Sequence, residues 1–184
     1  MRRFVLIGLS VFAFASLAAA QVPTSGNVFF GYSYYNTDLS RIDRANLNGW
    51  EGSLEGKVLP WVGIVADLSG HYGSQNFPGF CEAIPGPCPA VNLKVSEYNA
   101  LFGPRVSFSV GKIRPFAEAL IGVGHVDASS AGTHTSFATG IGGGVDYRLM
   151  RLVAWRVQGD YVTTRFFGTT QNNVRISTGI VLHF

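Results

Sequence analysis

The chain is poor in charge, poor in lysine and lacks any apolar run long enough to cross a bilayer as a helix. Charged residues make up 14% of its 184 residues, where soluble domains carry about 25%. Lysine occurs only at Lys57, Lys94 and Lys112. The uncharged stretch from Phe4 to Leu17 falls short of the about 20 apolar residues that a transmembrane helix needs. These shortages argue against an ordinary soluble globule and against a helical membrane protein. The net charge of +3 includes Arg2 and Arg3, and without them it falls to +1. A nucleic-acid partner is therefore not expected.

Arg2 and Arg3, the uncharged stretch and the small residues Ala18-Ala19-Ala20 before Gln21 form the three-part pattern of a cleaved secretory signal. The expected organisation is a signal peptide over 1–20 and one domain over 21–184. No cysteine follows the cleavage point, which argues against a lipid-anchored N-terminus. Cysteine itself is confined to Cys81 and Cys88, in a proline-rich segment. In an exported protein this pair reads as a disulfide. Closing so short a loop would stabilise by about 2–3 kcal/mol in the chain-entropy model. No nearby histidine or second cysteine pair completes a metal set, and no cofactor is expected.

The positive signal is alternation with period two. Val174, Ile176, Thr178, Ile180, Leu182 and Phe184 share one face, and Arg175, Ser177, Gly179, Val181 and His183 the other. Trp155, Val157, Gly159 and Tyr161 oppose Arg156, Gln158 and Asp160 in the same way. Side chains on a strand point alternately to opposite faces, so each segment has one apolar and one polar face. Eight segments follow this rule, over 26–36, 48–58, 61–73, 94–109, 114–126, 135–147, 153–164 and 174–184. Each is long enough to supply the 9–11 residues of a tilted membrane strand. The connections between them alternate long and short, as bacterial outer-membrane barrels require. Pro104 removes a ladder hydrogen bond, so a bulge or strand end is expected near Gly103-Pro104.

The predicted fold is all-β: an eight-stranded antiparallel up-and-down transmembrane β-barrel. Aromatic residues near strand ends, at Tyr34, Trp50, Trp61, Tyr72, Tyr147, Trp155, Tyr161 and Phe184, suit the two interfacial girdles of such a barrel. The polar face mixes signs. Glu51, Glu55, Asp67, Glu97, Glu118, Asp146 and Asp160 share it with Lys57, Arg105, Arg148, Arg156 and Arg175. An eight-stranded barrel is just wide enough for side chains to fill it. Charges there must pair, because an unpaired buried charge costs several kcal/mol. A lumen charge network of these residues is the expectation.

Three stretches carry a resemblance. Gly140-Ile141-Gly142-Gly143-Gly144-Val145-Asp146-Tyr147 resembles the sixth strand of small outer-membrane barrels, the group of the OmpA membrane domain, OmpX and the opacity proteins. The run from Arg114 to Gly124 looks like the preceding strand, and that from Trp155 to Tyr161 like the next. The ending Gly179-Ile180-Val181-Leu182-His183-Phe184 is similar to the C-terminal aromatic signal read by the barrel-insertion machinery, with Phe184 as the insertion residue. The resemblance implies the bacterial outer membrane as location, with its lipid bilayer and the insertion machinery as partners. It carries little about function, because sites are grafted onto shared scaffolds.

No catalytic residues emerge. His71 and Ser74 are three apart, which puts them on opposite faces of a strand; His71 reads as a rim residue. Gly142-Gly143-Gly144 lacks the Lys-Ser/Thr of a phosphate loop. The expected function is a non-enzymatic membrane anchor displaying surface loops for interaction or adhesion, with an extracellular partner reached through them. Phe77 and Phe80, beside the cysteines, are candidate anchors there. The alternatives are a narrow ion or small-solute pore and, further off, a lipid-modifying barrel enzyme.

Overall fold

A computed structural model describes residues 25–40, 43–77, 91–129, 132–166 and 170–184. They form eight strands in chain order: β1 (Gly26–Ser40), β2 (Asp43–Leu59), β3 (Val62–Phe77), β4 (Val91–Ser107), β5 (Ile113–Ala128), β6 (Gly132–Arg148), β7 (Val153–Thr164) and β8 (Gln171–His183). Each strand pairs with its sequence neighbours and β1 closes on β8, so the sheet has no free edge. All pairings are antiparallel. The proposed signal peptide and both cysteines lie outside the described residues.

The period-two pattern dictates which side chains enter the barrel. Odd-numbered residues of β1 to β4 and β8, and even-numbered residues of β5 to β7, point inward. The opposite set forms an apolar belt around the outside, with Phe30, Ile141 and Phe137 each more than half exposed at 65%, 70% and 61%. A continuous apolar belt of this kind is not found on soluble monomers; it needs hydrocarbon around it. Along β4 and the residue after it the belt runs from Tyr98 to Phe108. Ten steps at about 3.3 Å each, tilted by about 40°, span about 25 Å, the height of the lipid-facing band in outer-membrane barrels. Backbone groups at that depth have no water to bond, so closure is obligatory.

The closing seam has its own requirement. Gly31 lies directly opposite Gly179 across β1 and β8, and a Cβ on either would overlap backbone of the facing strand. At the β4–β5 turn Gly111 has φ of +64°, a value glycine adopts freely, and Val110 bridges to Ile113 around it.

Two expectations are corrected. The strands run further than the alternation alone suggests, most of all at the rim away from the chain ends. There β1 and β2 continue to Ser40 and Asp43, leaving only 41–42 between them. Beyond the girdle both faces meet water, so alternation fades while backbone pairing persists. What reads as long loops is in large part extended hairpin; only the 78–90 connection stays long. The second correction concerns Pro104. β4 passes through it with one register, Phe102 opposite Ile121 and Arg105 opposite Glu118. Pairing to β3 is unbroken across Gly103 and Pro104. The missing N–H interrupts the ladder to β5 only, and no bulge is formed.

Candidate functional site: the lumen and its two mouths

The rim that holds Ser25, Phe184 and the turns at 60–61, 108–112 and 149–152 is the periplasmic one by the rule that short turns lie there. Above it the inward side chains build a basic network. Arg105 meets Glu118 at 2.6 Å and Glu55 at 3.3 Å. Arg156 holds Asp146 with two donors, at 2.6 and 2.9 Å. Lys57 sits 2.5 Å from Glu55, and Arg114 3.8 Å from it. Asn27 donates to the same carboxylate at 2.7 Å. Phe116 lies between the two buried guanidinium groups, 4.4 Å from that of Arg105 and 4.6 Å from that of Arg156. This cation–π contact explains an aromatic residue beside Glu118 on a polar face.

The outer half of the lumen has the opposite balance. Arg175 donates to Asp67 at 2.7 Å and to Asp160 at 2.9 Å, and stands 3.4 Å from Glu51. Gln158 donates to Glu51 at 2.6 Å and to Asp160 at 3.0 Å. Ser177 donates to Glu51 and shares a hydrogen bond with Ser33, and Ser33 shares a 2.8 Å hydrogen bond with His71. His71 stacks on Tyr35 at 4.5 Å, and the Tyr35 hydroxyl donates to Glu97 at 2.9 Å. Around Tyr35, the side chains of Leu47, Val95, Val126, Val162 and Phe166 form an apolar cluster at this outer end. A second cluster of Val65, Leu101, Leu120 and Ala138 lines the β3–β6 wall, with Leu101 opposite Asp67.

The anticipated lumen charges therefore divide. Glu55, Lys57, Arg105, Glu118, Asp146 and Arg156 meet in the periplasmic half, and Glu51, Asp67, Asp160 and Arg175 in the outer half. Glu97 is inside but bonds only to the neutral partners Tyr35 and Asn99. Arg148 has inward parity yet sits exposed at the mouth, without an ion pair among the described residues. His71 is a fully buried lumen residue and not a rim one; Ser74 is exposed on the opposite face. His183 lines the periplasmic mouth, and His125 bonds to Thr135 on the outer surface. Sequence reasoning missed Arg114, whose parity with Phe116 and Glu118 was the available signal. It also missed the apolar clusters, because an inward valine or leucine breaks the polar pattern instead of extending it.

The girdle aromatics face outward. Trp61, Tyr147, Trp155 and Phe184 lie towards the periplasmic rim, and Tyr34, Trp50, Tyr72 and Tyr161 towards the outer one. Several use their polar tips, as when Trp155 donates to Thr178 at 2.9 Å and Tyr34 to Asn46 at 2.8 Å.

Little in this lumen suits catalysis. Ser33 and His71 are a hydroxyl–imidazole pair, but both are fully buried. Glu51 bonds to Ser177 and does not orient the imidazole. Among the described residues no three His, Cys, Asp or Glu side chains are placed to hold a metal. A recess of about 570 Å³ opens at the periplasmic mouth, lined by Lys57, Arg114 and His183 among others.

Comparison with known proteins agrees with this architecture. The structure is similar to Neisserial surface protein A, with a TM-score of 0.66 at 14% identity, covering 86% of this chain and 97% of that one. It is similar to OprG from Pseudomonas aeruginosa, with a TM-score of 0.60 at 8% identity over 87% and 95% of the two chains. It also resembles Ail, the attachment invasion locus protein of Yersinia pestis, with a TM-score of 0.58 at 12% identity over 88% and 100%. These likenesses concern the fold. No curated protein sequence matches the chain significantly. The family model for the outer membrane protein beta-barrel domain matches residues 4–184. The chain thus belongs to the outer membrane protein β-barrel domain family, and its place is the bacterial outer membrane.

Proposed function

We propose that the protein is a non-enzymatic anchor, a plugged barrel that holds its outer hairpins at the cell surface for interaction or adhesion. The observation that carries this reading is the filled lumen. Two ion-pair networks occupy it, and the outer end is closed by the cluster around Tyr35. A barrel filled in this way is a rigid support. Its function then falls to what it displays, and in this chain the extended hairpins and the two strand ends that flank 78–90 lie at one rim. The fold of Ail, whose name is that of an attachment protein, supports an adhesive reading. Delivery by the barrel-insertion machinery through β8 and Phe184 belongs to the same proposal.

The test is ion conductance in a planar bilayer, on refolded protein whose gel mobility shifts on boiling. A silent, folded barrel is the expected result. Adhesion of bacteria displaying the protein to host-type glycan surfaces, with 78–90 replaced by a short Gly-Ser linker as the control, then reads the displayed function. Discrete current steps from the folded form would replace this reading with that of a narrow pore.

A further inference from the structure

The periplasmic mouth carries more positive charge than the network above it absorbs. Glu118 and Asp146 are taken by the buried Arg105 and Arg156. Lys57 and Arg114 share the single carboxylate of Glu55. Lys112, Arg148 and Arg151 make no ion pair among the described residues, and all three are exposed. Seven cations thus face three carboxylates in this half of the barrel. A carboxylate on Phe184 would subtract one and leave the surplus positive.

The surplus surrounds open space. The recess of about 570 Å³ is lined by Lys57, Arg114 and His183. A second one of about 140 Å³ is lined by Lys112, Arg114, Arg148 and Arg151, and by Asp146, whose carboxylate is paired with Arg156. The two share Ser109, Arg114 and His183, so they adjoin. Arg114 is fixed beside them by donating from two of its nitrogens to the Ser107 hydroxyl oxygen, at 3.2 and 3.0 Å. A fixed guanidinium with ammonium and further guanidinium groups around it is a good geometry for a phosphate, whose oxygens accept forked donors.

A second observation bears on the source of that phosphate. The two turns that supply the unpaired cations are apolar at their tips. Phe108 and Val110 precede Lys112, while Leu149, Met150 and Leu152 interleave with Arg148 and Arg151, and these apolar side chains are exposed. Turn tips of this composition sit at a bilayer interface, with apolar groups towards the acyl boundary and cations at headgroup depth.

We propose that the periplasmic mouth binds a phosphate group, seated between Arg114, Lys57 and the cations of the β4–β5 and β6–β7 turns, and supplied by an anionic phospholipid of the inner leaflet. The site is independent of the adhesive reading and holds whether or not the lumen conducts.

Protein in nanodiscs of mixed phosphatidylcholine and phosphatidylglycerol is released into a native mass spectrometer, which reads the lipid that stays bound. Pyrophosphate titrated into phosphatidylcholine nanodiscs reads a soluble source. The variant combines Lys112→Gln, Arg148→Gln and Arg151→Gln, with Lys94→Gln at the other rim as control. Retention of phosphatidylglycerol over phosphatidylcholine should fall about tenfold or more in the triple variant and be unchanged in the control. Saturable pyrophosphate binding without lipid preference, lost in the same variant, keeps the phosphate site and moves its source to solution. If the triple variant fails to fold, Arg151→Gln alone should give a smaller loss in the same direction. Equal retention of both lipids together with no pyrophosphate binding by the folded wild type would overturn the proposal. So would a lipid preference untouched by the variants.

Discussion

Arg175 is the cation on which the outer half of the lumen depends, and Arg175→Met measures how much. Its guanidinium meets Asp67 at 2.7 Å, Asp160 at 2.9 Å and Glu51 at 3.4 Å, and no other lysine or arginine of the described lumen reaches these three carboxylates. Methionine keeps most of the aliphatic volume, so packing loss is small. The cost is electrostatic. Removing one partner of a buried ion pair costs about 3–5 kcal/mol, because the other charge is left stranded. Three carboxylates around one site put the expectation at the upper end, about 5 kcal/mol. The assay is urea unfolding in lipid vesicles with linear extrapolation.

The double variant Arg175→Met/Asp67→Asn makes the reasoning sharper. If stranded charge is the cause, removing one carboxylate should return about 1–3 kcal/mol of the loss, a positive coupling between neighbours. A single variant that loses less than about 1 kcal/mol would refute the argument. A double variant less stable than the single would refute it as well, since the loss would then come from packing or backbone distortion.

Ile180→Arg on the lipid face should cost about 2–4 kcal/mol, whereas Ser177→Ala, which removes the hydroxyl that bonds Glu51 and Ser33, should cost about 1–1.5 kcal/mol; the reverse ranking in vesicle unfolding would mean the faces are inverted. Gly142→Val should destabilise by about 1–3 kcal/mol, because any Cβ there overlaps the Asp160 carboxylate and must push it off Arg175; Gly159→Ala on the same pair of strands has open space and should be nearly neutral. Non-reducing mass spectrometry should find Cys81 joined to Cys88, and two free thiols in protein purified without reductant would remove that pairing.

The membrane-spanning part of the fold was legible because one physical rule governs it: alternation is enforced wherever one face meets lipid and the other the lumen. That is why Trp155 to Tyr161 could be assigned to faces from sequence, and why Arg105 falls on the lumen face even with Pro104 beside it. Where the rule lapses, legibility lapses. Beyond Tyr34 and Tyr72 both faces are in water, the pattern no longer marks strand, and the hairpin extensions look like loops. Inside the lumen the sequence gives membership and not partnership. Asp160 and Arg175 are adjacent in register, but Arg175 and Asp67 come from strands that are not neighbours. Which acid meets which base across the barrel depends on shear and rotamers that no single strand encodes. The split of one expected network into two is of this kind.

That split also bears on whether ions could pass. A lumen of one sign would repel like ions but concentrate their opposites, as charged rings do in selective channels. This lumen is bipolar. Glu51, Asp67, Glu97 and Asp160 stand in the outer half against Arg175 alone, while cations dominate the periplasmic half. An anion favoured at the basic mouth must next enter an acidic region; a cation favoured beyond must first cross a basic one. Each sign thus meets a barrier in one half or the other. Rearranging a single ion pair would therefore not open a path. Arg175→Met removes the only lysine or arginine among the described lumen residues of the outer half and makes it more acidic still, so it should weaken the protein without making it conduct.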